Sequence, residues 1–164
     1  MDSSEVKNAF HTLTLMRLIS KIESTPIKNN LNSQEEAEMQ ENIKKLMELY
    51  EQGPKLVKKE IMKVLQDRKN HSNVKIQTLV FNSFNKFHEK YHHQIKTIQN
   101  ATDDILKHND NDVIKEKLDK IQETAEDSEF EDMPKTAKAC FNYIARQHGI
   151  PEVREKAKTR AEKL

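Results

Sequence analysis

Two histidines four residues apart flank a glutamate in His88-Glu89-Lys90-Tyr91-His92. On a helix this spacing sets both imidazoles one turn apart on one face. There they can share a divalent metal, with Glu89 as general base for hydrolysis. That chemistry needs a third ligand. The longer form of the pattern needs glycine at position 95, where Ile95 stands. His108, Asp112 and Glu116 are ligand types further on, and no spacing ties them to the pair. A zinc-dependent hydrolase at His88 and His92 is therefore the remote reading, and we expect no catalytic residue, no metal and no other cofactor. Cys140, the sole cysteine, recurs at helical spacing with Ala137, Phe141 and Ile144, which makes it a small buried thiol before a nucleophile. Ser128-Glu129-Phe130-Glu131 sets a hydroxyl beside carboxylates in an acidic stretch, 127–133, read as a loop; that is a substrate pattern for an acid-directed kinase.

Charge excludes little else. Net charge is +1, so no global field draws the chain to nucleic acid or anionic lipid. Basic residues do gather locally, at Lys55, Lys58, Lys59, Lys63, Arg68, Lys69 and Lys75. They gather again at Arg154, Lys156, Lys158, Arg160 and Lys163. Binding of RNA or DNA by these runs is the alternative function, weakened because aromatics are only 5% of the chain and few remain to stack on bases. One cysteine makes no internal disulfide, and no stretch approaches the ~20 apolar residues of a membrane span. An intracellular protein, cytoplasmic or nuclear, is expected.

The elements that position these residues read as helices. Two glycines and four prolines are too few for a hairpin-rich sheet. Residues 4–22 carry Val6, Phe10, Leu13, Met16 and Ile19 at helical spacing, widened by Ala9, Leu15, Leu18 and Ile22; this predicts a helix packed on two sides, capped by Ser3 or Ser4. A linker at 24–32 follows, ended by a capping box at Ser33-Gln34-Glu35-Glu36. The helix it opens buries Met39, Ile43, Leu46 and Tyr50. Gly53-Pro54 is a stop and restart, with Gly53 free to take positive φ. The next helix, 54–69, buries Val57, Ile61, Val64 and Leu65. Ile76, Val80, Phe84, Phe87, Tyr91, Ile95 and Ile98 form the longest stripe, and we expect it to be split near His92-His93-Gln94 into helices 73–90 and 94–108. Helices at 112–126, 134–148 and from Pro151 onward complete an eight-helix reading.

Second helices of successive pairs then start near residues 33, 73, 112 and 152, a period of about 40, which is the mark of stacked α-hairpins. Pro151-Glu152-Val153-Arg154-Glu155-Lys156-Ala157 resembles the start of the second helix of a HEAT repeat, with Asn73-Val74-Lys75 and Asp112-Val113 as weaker copies. The resemblance covers 54–164 well and 4–52 by helix length alone. It implies an acidic residue or Asn capping the helix, a buried Val and an Arg or Lys reaching along the stack. Compact superhelices of this size also resemble VHS, ENTH and polymerase-tail-interacting domains. The expected fold is all-α: one domain, 1–164, forming a short superhelix of four antiparallel pairs (4–52, 54–90, 94–126, 134–164), with an irregular helical bundle as the alternative. The expected function is a non-enzymatic adaptor or scaffold. Lys75, Asn82, Asn85, Lys86, Lys120, Arg154 and Lys158 would line a polar, basic groove for a peptide or helix of another protein, acidic or phosphorylated in character.

Overall fold

The computed structural model describes residues 3–24, 31–69, 71 and 73–164, and every structural statement below concerns these. They form seven helices and no strand: α1 Ser3–Ser24, α2 Ser33–Gln52, α3 Lys55–Asp67, α4 Val74–Lys107, α5 Asn111–Asp127, α6 Asp132–Gln147 and α7 Pro151–Glu162. Their contacts divide into two compact units, one ending at Phe87 and one beginning at His88, so the boundary falls inside α4.

The expected break near His92 is absent, because α4 runs unbroken for 34 residues. Around the expected break, residues 86–99 contain no glycine or proline and no asparagine, aspartate or serine of the kind that ends α3 and α4, so nothing there competes with the backbone ladder. What changes near that point is the packing partner, not the helix. Seven helices result in place of eight.

In the first unit α1 packs on α2 and α3, and α2 on α3. Leu15, Leu18, Ile22, Met39, Ile43, Leu46, Tyr50, Ile61, Leu65, Ile76 and Val80 are buried. Each large aliphatic side chain withdrawn in this way contributes roughly 1.5–3 kcal/mol. The Tyr50 and Phe87 rings meet at 4.7 Å, and Phe84 stands edge-on to Phe87 at 5.8 Å. The expectation that α1 packs on two sides fails: Leu15, Leu18 and Ile22 are inside, while Val6, Phe10, Leu13 and Met16 lie on the bare face.

The capping box sits one residue earlier than expected. Asn32 Oδ1 accepts from the Glu35 N–H at 2.8 Å, and Glu35 Oε1 accepts from the Asn32 N–H at 3.3 Å. Glu36 is thereby freed to reach α4, accepting from Asn73 Nδ2 at 2.9 Å and pairing with Lys75 at 3.1 Å. Gly53 is extended, with φ −78°, so positive φ is not its reason. A Cβ there would stand 2.8 Å from both the Leu49 carbonyl oxygen and Val57 Cγ1, so glycine permits the close approach of α2 to α3. The side chains of Ser3 and Ser4, expected to cap α1, and residues 25–30 of the linker lie outside what the structure describes.

In the second unit Ile98, Ala101 and Ile105 of α4 join Ile114, Leu118, Ile121, Ala125, Met133, Ala137, Phe141, Ile144, Val153 and Ala157 in one core. Three turns here and in the first unit share a device. A buried side chain accepts from the backbone N–H two residues on: His71 Nδ1 from Asn73 at 3.1 Å, Ser128 Oγ from Phe130 at 3.1 Å, and His148 Nδ1 from Ile150 at 3.1 Å. Five residues after each acceptor a core residue follows, namely Ile76, Met133 and Val153. The resemblance placed Val74 in the core beside Val153. Val74 is 73% exposed and Val153 1%, so Ile76 takes the place expected of Val74.

Candidate functional site

The side chains expected to line a groove separate into those that meet solvent at a concavity and those already engaged. Asn82 and Lys86 are exposed on α4 and line a groove of about 560 Å³ with Ile43, Lys44, Met47, Glu48 and Glu51 of α2 and with Leu79 and Ser83 of α4. Ile43, Met47 and Leu79 supply its apolar floor. Its rim carries both signs, Lys44 and Lys86 against Glu48 and Glu51. The groove is therefore amphipathic and not basic. Asn85, one turn below Phe81 on α4, is exposed and is not part of the lining.

Lys75 is drawn to Glu36. The amide of Asn73 first, and the ammonium of Lys75 second, hold the Glu36 carboxyl below the usual glutamate range. In the second unit Lys120 borders a shallow hollow of about 420 Å³ on α5 with Glu116, Lys117, Asp119 and Glu123. Arg154 is half-buried and donates from Nη1 to the His148 carbonyl at 2.8 Å, so its guanidinium closes the turn before α7. The arginine that reaches to another helix is Arg160, which donates to Gln122 Oε1 at 2.7 Å and pairs with Asp119 at 2.6 Å. Lys158 is exposed on α7.

His88 and His92 are both exposed, with ring centroids 4.3 Å apart and planes 89° apart; their Nε2 atoms approach to 2.9 Å. Among the described residues no third His, Cys, Asp or Glu gathers with them, so the hydrolase reading gains no further ligand. Cys140 is half-buried against the second core. Ser128 does lie in the connection between α5 and α6, but it is not open to a kinase. It is 1% exposed, and its hydroxyl donates to Gln94 Oε1 at 2.6 Å. Beside it the carboxylate of Glu129 is buried too and pairs with Lys90 at 3.0 Å. The acidic stretch 127–133 holds the second unit together at these two residues, and Asp132 already belongs to α6.

The groove's floor was missed from sequence because Met47 and Leu79 stand beside their helices' main stripes. The available signal was an apolar residue on a helix flank that the stripe does not need. No family model, no curated protein and no solved structure matches the chain. No helix among the described residues is long and apolar enough to cross a membrane.

Proposed function

We propose that this chain is a non-enzymatic binding module whose α2–α4 groove takes an amphipathic helix of a partner protein. The observation behind this reading is the combination of an apolar floor, Ile43, Met47 and Leu79, with a rim of both signs along two helices. A groove of that make-up suits apolar anchors at i, i+3 or i+4 and i+7, with lysine or arginine toward Glu48 and Glu51 and carboxylates toward Lys44 and Lys86. A uniformly acidic or phosphorylated segment would gain from two lysines and lose to two glutamates, which argues for the mixed helix. Of the repeat reading, the turn device shared by His71, Ser128 and His148 is what we retain as kinship with stacked α-hairpins. A regular stack needs a turn between helices that α4 joins.

The test places a photo-crosslinking residue at position 82 and, as control, at position 120. Crosslinked partner peptides recovered from 82 should have helical apolar periodicity and both charge signs. Met47→Glu together with Leu79→Glu should remove the crosslink while far-ultraviolet dichroism stays unchanged. Equal yields from positions 82 and 120, or crosslinks that survive the double change, would reject the groove.

A further inference from the structure

The His88–His92 pair lies outside the groove, and its geometry carries a reading that does not depend on it. We propose that these two imidazoles form a two-nitrogen chelate for a divalent transition metal that prefers tetragonal coordination, of the Cu2+ class. Residues i and i+4 on a helix share a face, and here both side chains are exposed, so a hydrated ion meets them without moving the backbone. Their Nε2 atoms stand 2.9 Å apart. Two nitrogens each about 2.0–2.1 Å from one metal lie roughly 2.9 Å apart when they subtend a right angle, and about 3.3–3.4 Å apart at the tetrahedral angle. The separation is closer to that of adjacent corners of a tetragonal site than to that of two ligands of a tetrahedral zinc. Without metal the same separation is a hydrogen bond, one imidazole donating its Nε2 proton to the other. For metal binding both rings take the Nδ1–H tautomer, the Nε2 proton of the donor ring passing through solvent to its own Nδ1, and a small turn of each ring brings both Nε2 lone pairs onto the ion. Since no third side chain of ligand type gathers there among the described residues, water or a donor from outside fills the other positions. Two protein ligands are one fewer than the three that anchor a hydrolytic zinc, so the site is one of metal binding, with no role assigned to Glu89.

The experiment uses the whole untagged chain and Cu2+ alone, followed by electron paramagnetic resonance. One equivalent should give a tetragonal spectrum with splitting from two nitrogens. His88→Ala and His92→Ala should each weaken binding at least tenfold and reduce the splitting to one nitrogen. His93→Ala should change neither. All three positions are exposed, so dichroism should be unaltered. Zn2+ should bind at least tenfold more weakly than Cu2+. Copper held equally well by the His88 and His92 variants would mean an adventitious site elsewhere. A two-nitrogen spectrum retained in either variant, or Zn2+ bound as tightly as Cu2+, would likewise overturn the proposal.

Discussion

His71 and His148 do the same work in the two units, and only one of them is fully satisfied. Each is buried, and each accepts through Nδ1 from the backbone N–H two residues on. His148 also donates through Nε2 to the Ile105 carbonyl at 2.9 Å. That carbonyl lies in the last turn of α4, where no later helical N–H comes round to meet it, and otherwise has the long 3.4 Å bond from the His108 N–H. The imidazole therefore ties the start of α7 to the end of α4. His71 Nε2 meets no partner, and His11 Nδ1, also in the first unit, is the other buried side-chain nitrogen without one. The lesson is that a buried histidine serves a turn through one nitrogen and a fold through two. The first unit tolerates orphaned imidazole nitrogens where the second has none among the described residues.

The comparison is broken most directly by removing each ring. His148→Ala takes away two hydrogen bonds and leaves a cavity in the second unit. It should cost about 2–4 kcal/mol, read as faster amide exchange in α5 to α7. His71→Ala loses one bond but also relieves an unpaired nitrogen, and should cost about 1 kcal/mol or less. Equal losses in the two variants would show that the second hydrogen bond of His148 contributes nothing. Ser128→Ala belongs between them, at about 1–2 kcal/mol, because its hydroxyl both accepts from Phe130 and donates to Gln94. Urea titration of the three variants checks the order.

Much of this was legible before the structure, and the limits are physical. Helix starts near 33, 73, 112 and 152 fall within two residues of Ser33, Val74, Asn111 and Pro151. Caps, prolines and glycines act locally, and the sequence shows them. The continuity of α4 was misread because a period of 40 was allowed to outweigh a stretch free of helix breakers. Val74 and the outer stripe of α1 were misread for another reason. Apolar spacing says which residues share a face, and cannot say whether anything covers it. Phe10 is 66% exposed with the same periodicity that buries Phe87. In the groove, Asn82 and Lys86 were found by their position opposite the stripe, while Met47 and Leu79 needed the neighbouring helix to be seen as a floor.

Acid sharpens the histidine comparison. Burial first, and the Arg68 charge second, push the His71 imidazole below its ordinary value. In the unfolded chain it titrates near 6.5. Above that pH both states are neutral and the native contribution is complete. As pH falls below about 6.5 the unfolded state takes up the proton first, so stability of the first unit declines until the folded imidazole is protonated too. His71→Asn, which keeps a side-chain acceptor for the turn but does not titrate, should flatten this part of the profile when urea midpoints are taken from pH 7.5 to 5. An unchanged slope would place the titration elsewhere.

The smallest expected effect lies at the other end of the same turn. Glu36 holds Asn73 and Lys75, the two residues that follow the His71 turn into α4, and its carboxyl is depressed by both. A depressed carboxylate stabilises the fold above its unfolded value, and that contribution disappears as pH falls through the lower folded value. Glu36→Gln keeps an acceptor for the Asn73 amide and loses the charge that Lys75 meets. Lys75 is largely exposed, so water and salt screen the pair and the change at neutral pH should be slight. The informative readout is the acid limb below about pH 4.5, which should lose part of its slope in the variant, while the limb near pH 6 stays with His71. If Glu36→Gln instead altered the upper limb, the two groups would be coupled through Asn73, and the turn would have to be treated as one titrating unit.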